Sequence, residues 1–259
     1  MRITTKRLSL PRTVATERIY QTAVELAAAH AAAAAPLCRH LDVGAGTGRL
    51  IELFRQRFQT ESSACDYTGQ LMKLPGQKVD IANLNSEKLP YPDASFDVVT
   101  ATEVVEHLEN HREVLRDLHR VLKPGGVCIL STPNILNLNS RLRFLWFGYW
   151  NLFGPLPVKH SALYSTGGHI NPISYFYLAH SLLDAGFTDV RLRVDKFQRS
   201  AMPKLFFWYA PIKIFGALAW RKEVSKFQTI DAGNAPLVKA GNSMPMLLGR
   251  TIVVAATKP

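Results

Sequence analysis

A glycine-rich turn between a short strand and a helix is the feature that most limits the fold of this sequence. Residues 39–43 (RHLDV) are typical of a strand, GAGTG follows at 44–48, and residues 49–58 place their apolar side chains on one face of a helix. Glycines in such a turn let the backbone bend tightly and approach a ligand closely. The turn lacks the Gly-Lys-Ser/Thr ending of a phosphate-binding P-loop, and its third glycine comes one residue earlier than in the dinucleotide fingerprint GxGxxG.

This unit begins a regular alternation of strands and helices. Strand patterns occupy 39–43, 62–66, 78–81, 96–101, 127–131, 189–194 and 251–256. Helical patterns occupy 14–35, 49–58, 110–122 and 172–185, and KPGG at 123–126 is typical of a turn that ends a helix. The alternation predicts an α/β fold, a Rossmann-like, mostly parallel sheet of seven strands with helices on both faces.

Two long segments, 134–168 and 197–248, do not follow this alternation. Both are rich in aromatic residues, proline and glycine, and the sequence contains no internal repeat. We interpret them as insertions around one site, so that residues 1–259 form a single domain with a cofactor-binding core at 38–134. The insertions are expected to form a substrate lid or a membrane-facing cap.

Charge is distributed unevenly along the chain. The net charge is +11, and residues 1–130 hold 16 basic and 15 acidic side chains, whereas the rest holds 15 basic and 5 acidic. Of the 25 aromatic residues, 18 lie between 141 and 220. A basic, aromatic half suits an anionic partner such as a phospholipid surface, an acidic substrate or nucleic acid. The alternative is that the surplus of Lys and Arg only solubilises an apolar surface.

Cysteine usage and hydropathy favour a reducing, cytoplasmic setting. The three cysteines, Cys38, Cys65 and Cys128, form no CxxC pair, and the first twelve residues contain no apolar core typical of a secretory signal. The longest apolar stretch, 205–220, is interrupted by proline and lysine, and it is shorter than the roughly 20 residues that a membrane span needs. A position at a membrane surface remains open.

Acidic residues end the first three predicted strands. Asp42 precedes the glycine turn, Asp66 ends the second strand and Asp80 ends the third. Ligands of open α/β sheets bind at the carboxyl ends of the strands, where a carboxylate can accept hydrogen bonds from both hydroxyls of a ribose. The pattern therefore predicts a cofactor of the adenosine type, although each acid taken singly is equally typical of a capping or surface residue.

The chain resembles the class I S-adenosylmethionine-dependent methyltransferases. The matching motifs come in the order of that family: LDVGAGTG (41–48), Asp66, LPYPDASFDVV (89–99), EVVEHL (103–108) and LHRVLKPGGVCILSTPN (118–134). The resemblance implies a seven-stranded sheet whose last strand is antiparallel, S-adenosylmethionine as the cofactor, and methyl transfer as the activity.

The resemblance also implies roles for individual residues. The methionine end of the cofactor would be held by Asp42, Gly44, Ala45, Gly46 and Gly48, and closed by Thr102 and Glu103. The ribose would be bound by Asp66, and the adenine would lie beside Tyr67, Asp80 and Ile81. The second strand is more polar than is usual in the family, since it reads ESSACD at 61–66.

A narrower likeness points to one branch of the family. EVVEH at 103–107 together with STPN at 131–134 resembles ubiquinone-biosynthesis O-methyltransferases, MetW-like proteins and bacterial glycan methyltransferases. Residues 132–148 and 167–187 are most similar to the glycan and cell-envelope members.

An O-methylation requires a proton acceptor. Methyl transfer from a sulfonium is an in-line displacement in which positioning does most of the work, but the hydroxyl of the acceptor must lose its proton. His107 follows the fourth strand, and His169 precedes a helix that is expected to face the site. Either is a candidate base, and a structural helix or loop position is the alternative for each.

Glu103, Glu106 and His107 are spaced i, i+3 and i+4, which on a helix would place them on one face, as a metal site requires. A structural hydrogen-bond network is the preferred interpretation, and no metal is predicted.

The leading hypothesis is O-methylation of a small-molecule, sugar or lipid-linked acceptor. The basic, aromatic insertions either form a lid packed on the core or make peripheral contact with the inner face of an anionic membrane. A nucleic-acid methyltransferase is one alternative, although Ala101-Thr-Glu stands where amino-methylating enzymes carry an Asn/Asp-Pro-Pro-aromatic motif. A non-enzymatic, partner-binding scaffold with a retained fold is another.

Overall fold

A computed structural model describes residues 13–30, 37–156 and 168–259. Seven strands form one sheet in the order β3-β2-β1-β4-β5-β7-β6. They are β1 (Cys38–Val43), β2 (Thr60–Asp66), β3 (Val79–Ile81), β4 (Phe96–Thr102), β5 (Leu122–Pro133), β6 (Thr188–Val194) and β7 (Thr251–Thr257). The first five strands pair in parallel, and β7 is antiparallel to both of its neighbours. The predicted fold, including the antiparallel last strand, is confirmed.

Eight α-helices accompany the sheet in the described residues. They are α1 (Thr13–Ala28), α2 (Arg49–Arg57), α3 (His111–Val121), α4 (Leu138–Phe147), α5 (Tyr175–Asp184), α6 (Met202–Lys222), α7 (Ala235–Ala240) and α8 (Met244–Leu248). The helix predicted over 14–35 ends at Ala28, and residues 31–36 lie outside the described residues. None of the helices in the described part of the chain is long and apolar enough to cross a membrane.

The turn predicted at 123–126 is instead part of β5. Leu122 pairs with Phe96, and Val127 pairs with Val98. The residues between Leu122 and Val127 therefore form an irregular part of the strand, where the register with β4 shifts. Gly125 donates its N–H to the carbonyl of Lys258, and Lys258 donates to the carbonyl of Gly126. Backbone pairing with Lys258 therefore holds the proline-glycine segment in the sheet, although Gly125 bends it with a φ of 76°.

The core lies on both faces of the sheet because consecutive strand residues point to opposite sides. On one face Val98, Ile129 and Val253 pack with α1 and α2. On the other face their sequence neighbours Val99, Leu130 and Val254 pack with α3 and α5. Burial on both faces explains why the central strands are apolar without alternation.

Two buried positions in β1, His40 and Asp42, are polar. His40 is fully buried, and its ring stacks on Phe54 with centroids 4.0 Å apart. Its Nδ1 lies 3.2 Å from the Ser62 hydroxyl and its Nε2 2.9 Å from the Thr100 hydroxyl. Burial lowers the pKa of His40 to about 3, so the imidazole is neutral and its two nitrogens bridge β2 and β4.

Gly249 lies where the chain enters β7, at a φ of −65° that alanine can adopt. A Cβ atom there would lie 2.4 Å from the Pro245 carbonyl oxygen and 2.4 Å from Cγ1 of Val194. We therefore expect Gly249→Ala to lower the free energy of unfolding by about 1–3 kcal/mol, as overpacking does. Urea-induced unfolding measures the difference.

The matched control is Gly154→Ala, because a Cβ at Gly154 would have Nη2 of Arg143, at 3.8 Å, as its nearest described neighbour. This variant is expected to stay within about 0.5 kcal/mol of the parent. Equal stabilities of the two variants would contradict the steric argument.

Candidate active site at the carboxyl edge of the sheet

The glycine turn after β1 leaves bare backbone at one position. Gly44 and Gly46 have φ values of 71° and 50°, in the left-handed region that glycine tolerates. A Cβ at Gly44 would lie 2.4 Å from Cγ2 of Val104, so this glycine is required by packing. A Cβ at Gly46 would meet no described atom nearer than 3.9 Å. The backbone of Gly46 therefore faces space in which a ligand can approach it.

Asp66 ties this turn to the end of β2. Its Oδ2 accepts a hydrogen bond of 2.8 Å from the N–H of Gly46, and its Oδ1 accepts one of 3.4 Å from Thr68. The residue is buried. Because the carboxylate bridges two loops, it fixes the distance between the turn and the second strand.

Large apolar side chains are exposed at the carboxyl ends of β2 and β3. Tyr67 follows Asp66 and is 46% exposed, and Ile81 ends β3 and is 59% exposed. Asp66 and Ile81 are partners in the strand register, so these side chains belong to one edge of the sheet. Exposed apolar surface at this edge fits the flat face of an aromatic ligand.

The carboxylate of Asp80 is engaged by neighbouring side chains. The Tyr91 hydroxyl donates to it over 2.9 Å, and Lys78 pairs with it at 3.1 Å. Burial raises the pKa of Tyr91, which stays protonated and remains a donor. The sequence analysis missed Tyr91, whose position inside the LPYPD motif was the available signal.

Asp42 lies buried beneath the turn and belongs to a polar chain through the sheet. The Thr100 hydroxyl donates to its Oδ1 over 2.7 Å, and the same hydroxyl contacts Nε2 of His40. Burial raises the pKa of Asp42 to about 7, the Thr100 hydrogen bond opposes this rise, and the charge of Asp66 adds to it. A cation that binds beside this carboxyl would favour its charged form.

The segment after β4 has a strained backbone. Thr102 is buried at the end of the strand, and Glu103 has a φ of 56°, which is uncommon for a residue with a side chain. The conformation is held by Ser131, which accepts from the N–H of Glu103 at 3.0 Å and donates to its Oε1 at 3.1 Å. Loss of hydration raises the pKa of Glu103 to about 7.

This backbone excludes the predicted helical arrangement of Glu103, Glu106 and His107. Only Val105–His107 forms a single 3-10 turn, and the positive φ of Glu103 turns that residue away from any continuous helix. Glu106 is fully buried, and neither of its carboxylate oxygens has a hydrogen-bond partner in the described part of the chain. Burial, followed by the charge of Glu103, raises the pKa of Glu106 well above its ordinary value.

The two candidate histidines lie side by side. The rings of His107 and His169 meet edge to face with centroids 4.9 Å apart. Nδ1 of His107 lies 2.9 Å from the carbonyl of Gly168, so it carries the proton, and Nε2 is the basic nitrogen. The N–H groups of Ile170 and Asn171 donate to the carbonyl of Glu106 at 2.9 and 3.0 Å. These hydrogen bonds bring residues 62 positions apart in sequence into one site.

The residues that could together bind a metal ion differ from the set Glu103, Glu106 and His107 that the sequence suggested. Glu106, His107 and His169 each offer a ligand atom, and the three atoms lie within 4.8 Å of one another. One carboxylate and two imidazoles are ligands that zinc accepts. Among the described residues Glu103 is outside this group, and it bonds Ser131 instead.

Comparisons with known proteins agree with this geometry. Residues 41–130 match the family model described as a methyltransferase domain. The demethylmenaquinone methyltransferase of Listeria welshimeri is 31% identical over 168 residues, which cover 58% of this chain and 70% of that protein. A ubiquinone/menaquinone biosynthesis C-methyltransferase of Desulfotalea psychrophila is 28% identical over 164 residues, which cover 59% of this chain and 67% of that protein.

Solved structures share the fold. An S-adenosylmethionine-dependent methyltransferase from Archaeoglobus fulgidus superposes with a TM-score of 0.56 at 17% identity, covering 93% of this chain and 94% of that one. The phosphoethanolamine N-methyltransferase 2 of Haemonchus contortus, solved with S-adenosyl-L-methionine, gives 0.50 at 16% identity and covers 96% of this chain and 58% of that one.

The chain belongs to the class I S-adenosylmethionine-dependent methyltransferases. It is accordingly an enzyme that uses S-adenosylmethionine as its methyl donor.

Asp42→Asn tests the electrostatics of the buried carboxyl. A folded pKa of about 7 against an ordinary 3.8 means that the folded state binds the proton more tightly, so stability from protonated Asp42 is complete below about pH 4 and is lost as the pH rises through 7. The free energy of unfolding of the asparagine variant should therefore rise relative to that of the parent as the pH increases, by up to roughly 4 kcal/mol. Urea unfolding of the cofactor-free protein between pH 4 and about 8 measures this. A stability difference that is constant across the range would contradict the raised pKa.

Proposed function

We propose that this methyltransferase methylates an oxygen of a small-molecule, sugar or lipid-linked acceptor, with a histidine of the His107–His169 pair as the proton acceptor. The observation that carries the proposal is the convergence of both imidazoles beside buried Glu106. Val104 packs against Gly44 of the glycine turn, so this cluster adjoins the cofactor loop.

The residues around the turn fit the cofactor that the family uses. We assign its methionine end to the turn at 42–48 and to Thr102 and Glu103. The open backbone of Gly46 and the titratable carboxyl of Asp42 support this assignment. Asp66 would take the ribose hydroxyls, and the exposed faces of Tyr67 and Ile81, with Asp80 nearby, would enclose the adenine. When bound, the cofactor supplies an electrophilic methyl group on a sulfonium.

The chain's own contribution is to orient the acceptor hydroxyl and to take its proton. The Gly168 carbonyl fixes the tautomer of His107, so that Nε2 can accept a proton. The neighbouring Glu106 is neutral because it is buried, and it can become charged when an imidazole gains a proton, since opposite charges in a buried site stabilise each other. Glu106 would release its own proton to solvent in the same step, so the cluster would hold one proton before and after the transfer and would gain no net buried charge.

The insertions are proposed to cover the acceptor. Phe153, from the first insertion, lies 5.2 Å from the ring of His169. Peripheral contact with an anionic membrane fits this arrangement, because a lipid-linked acceptor is presented at such a surface. The predicted cap over 134–168 falls partly on residues 157–167, which lie outside the described residues.

Methylation of a ring carbon is a second candidate, because one relative is named a ubiquinone/menaquinone biosynthesis C-methyltransferase. Both candidates need a deprotonated hydroxyl on the acceptor, and they differ in the atom that receives the methyl group. The ¹³C chemical shift of a labelled methyl group in the product separates oxygen from ring carbon.

The acceptor class can be tested with S-adenosylmethionine that carries a labelled methyl group and an extract of source cells. Label in the organic phase would support a lipid or quinone-type acceptor, and nuclease-resistant aqueous label would support a sugar. Nuclease-sensitive label would overturn the proposal in favour of a nucleic-acid methyltransferase.

Replacing the base histidine by alanine is expected to lower kcat by about 10²–10⁴-fold without changing cofactor affinity. His107→Ala and His169→Ala are compared by initial rates across pH, and the base variant alone should lose the acidic limb of the profile. His180→Ala, at an exposed position on α5, is the matched control. Retention of the parental rate by both site variants would contradict the role of the pair, and loss of activity with a chelator would assign the cluster to a metal.

A further inference from the structure

Helix α6 is apolar and yet exposed. Its 21 residues, MPKLFFWYAPIKIFGALAWRK, are mostly apolar or aromatic, and none of them is buried among the described residues. Monomeric soluble proteins rarely expose a continuous apolar patch larger than a few hundred Å². A surface of this kind is typical of an interaction site.

One row of exposed apolar side chains lies on the side of the helix that faces away from the domain. Leu205 and Ile212 pack towards the domain, in a cluster with Leu138, Ala201 and Leu248. Phe207 and Ile214 come two residues after these, a rotation of about 200°, and so lie on the opposite face. Leu218, eleven residues after Phe207, lies on the same face. These three outward side chains are 72%, 59% and 53% exposed, respectively.

Helix α4 carries further exposed apolar side chains. Leu145, Trp146 and Phe147 at its end are 61%, 73% and 57% exposed. The amide of Asn139 donates to Gln198 and to Ser200, which joins α4 to the segment that leads into α6. We call the combined surface the aromatic face, and its members are Leu145, Trp146, Phe147, Phe206, Phe207, Ile214, Phe215 and Leu218.

Basic side chains surround the aromatic face. Residues 199–226 hold six basic side chains and one acidic side chain. Lys213 is exposed on one flank of the outward row, and Lys222 is exposed on the other. Lysines in this position can hold their ammonium groups at a charged surface while their stems cover apolar area.

A groove opens between α4 and the start of α6. It has a volume of about 590 Å³, and Arg143 and Lys204 line it together with Asn139, Trp146 and Phe147. Two cations beside aromatic rings match the phosphate of a lipid headgroup at the boundary with its acyl chains.

We propose that the aromatic face docks on an anionic phospholipid bilayer, with α6 lying in the plane of the interface and the groove receiving headgroup phosphate. We choose an anionic bilayer as the occupant because its charge complements the lysines and its apolar interior suits the apolar row that they flank. A second copy of this chain would bring two strongly basic faces together, which like-charge repulsion opposes. The inference rests on the proposed function in one respect, because a lipid-linked acceptor explains why the enzyme docks. The docking itself requires no acceptor.

Flotation with phosphatidylcholine vesicles, with and without phosphatidylglycerol, tests the surface. The full chain is expected to float with the anionic vesicles and to be released by salt. The double variant Phe207→Ser/Ile214→Ser should bind at least tenfold more weakly, because it loses two apolar side chains from the interface. Lys213→Gln and Lys222→Gln should each weaken binding about fivefold.

The matched control is Tyr177→Ser/Leu183→Ser on α5, whose side chains are 64% and 44% exposed outside the aromatic face. It should bind vesicles as the parent does. Absence of vesicle binding by the parent, or equal binding by the Phe207/Ile214 and control variants, would overturn the inference. Loss of a solution dimer in the Phe207/Ile214 variant would assign the face to self-association instead, and salt-sensitive RNA binding lost in that variant would assign it to nucleic acid.

Cofactor binding and methyl transfer are measured on the same preparations. Vesicle binding without methyl transfer would leave the docking surface in place and count against the proposed function. Methyl transfer to a water-soluble acceptor without vesicle binding would support the proposed function and count against the docking surface.

Discussion

The parallel pairing of β1 with β2 and β4 determines where each polar group of the site lies. In this register Asp42 is opposite Thr100 on β4, so the Thr100 hydroxyl donates a hydrogen bond to the Asp42 carboxyl. Asp42 is also opposite Ala64 on β2, so Asp66, two residues later, lies beside the turn and accepts a hydrogen bond from the N–H of Gly46. A shift of one residue would move each side chain to the other face of the sheet. The glycine turn, the buried Asp42 carboxyl and the Asp66 carboxylate thus depend on one set of backbone hydrogen bonds.

The site is built from groups that are unfavourable to bury. Asp42, Glu103 and Glu106 have raised pKa values because they are removed from water, and the positive φ of Glu103 adds backbone strain. Apolar packing on both faces of the sheet offsets these costs. A carboxyl that titrates near neutrality can respond to a cationic ligand, which an ordinary surface carboxylate does far more weakly.

The sequence predicted the sheet well because each central strand is an apolar run followed by a turn or a helix. It could not predict that β5 extends through Pro124 and two glycines, since that depends on pairing with the distant Lys258. It proposed His107 and His169 as alternatives, because a spacing of 62 residues carries no information about distance. For the second insertion it left a substrate lid and a membrane-facing cap as alternatives, because apolar residues are equally typical of a buried helix.

The position of β7 has a consequence for synthesis. The last strand of the chain inserts between β5 and β6, so β6 joins the sheet only through β7. While residues 134–250 are being translated, the apolar edge of β5 has no partner strand, and such an edge readily pairs with other chains. The sheet can close only after β7 has emerged from the ribosome, and until then this edge is open to pairing with other chains.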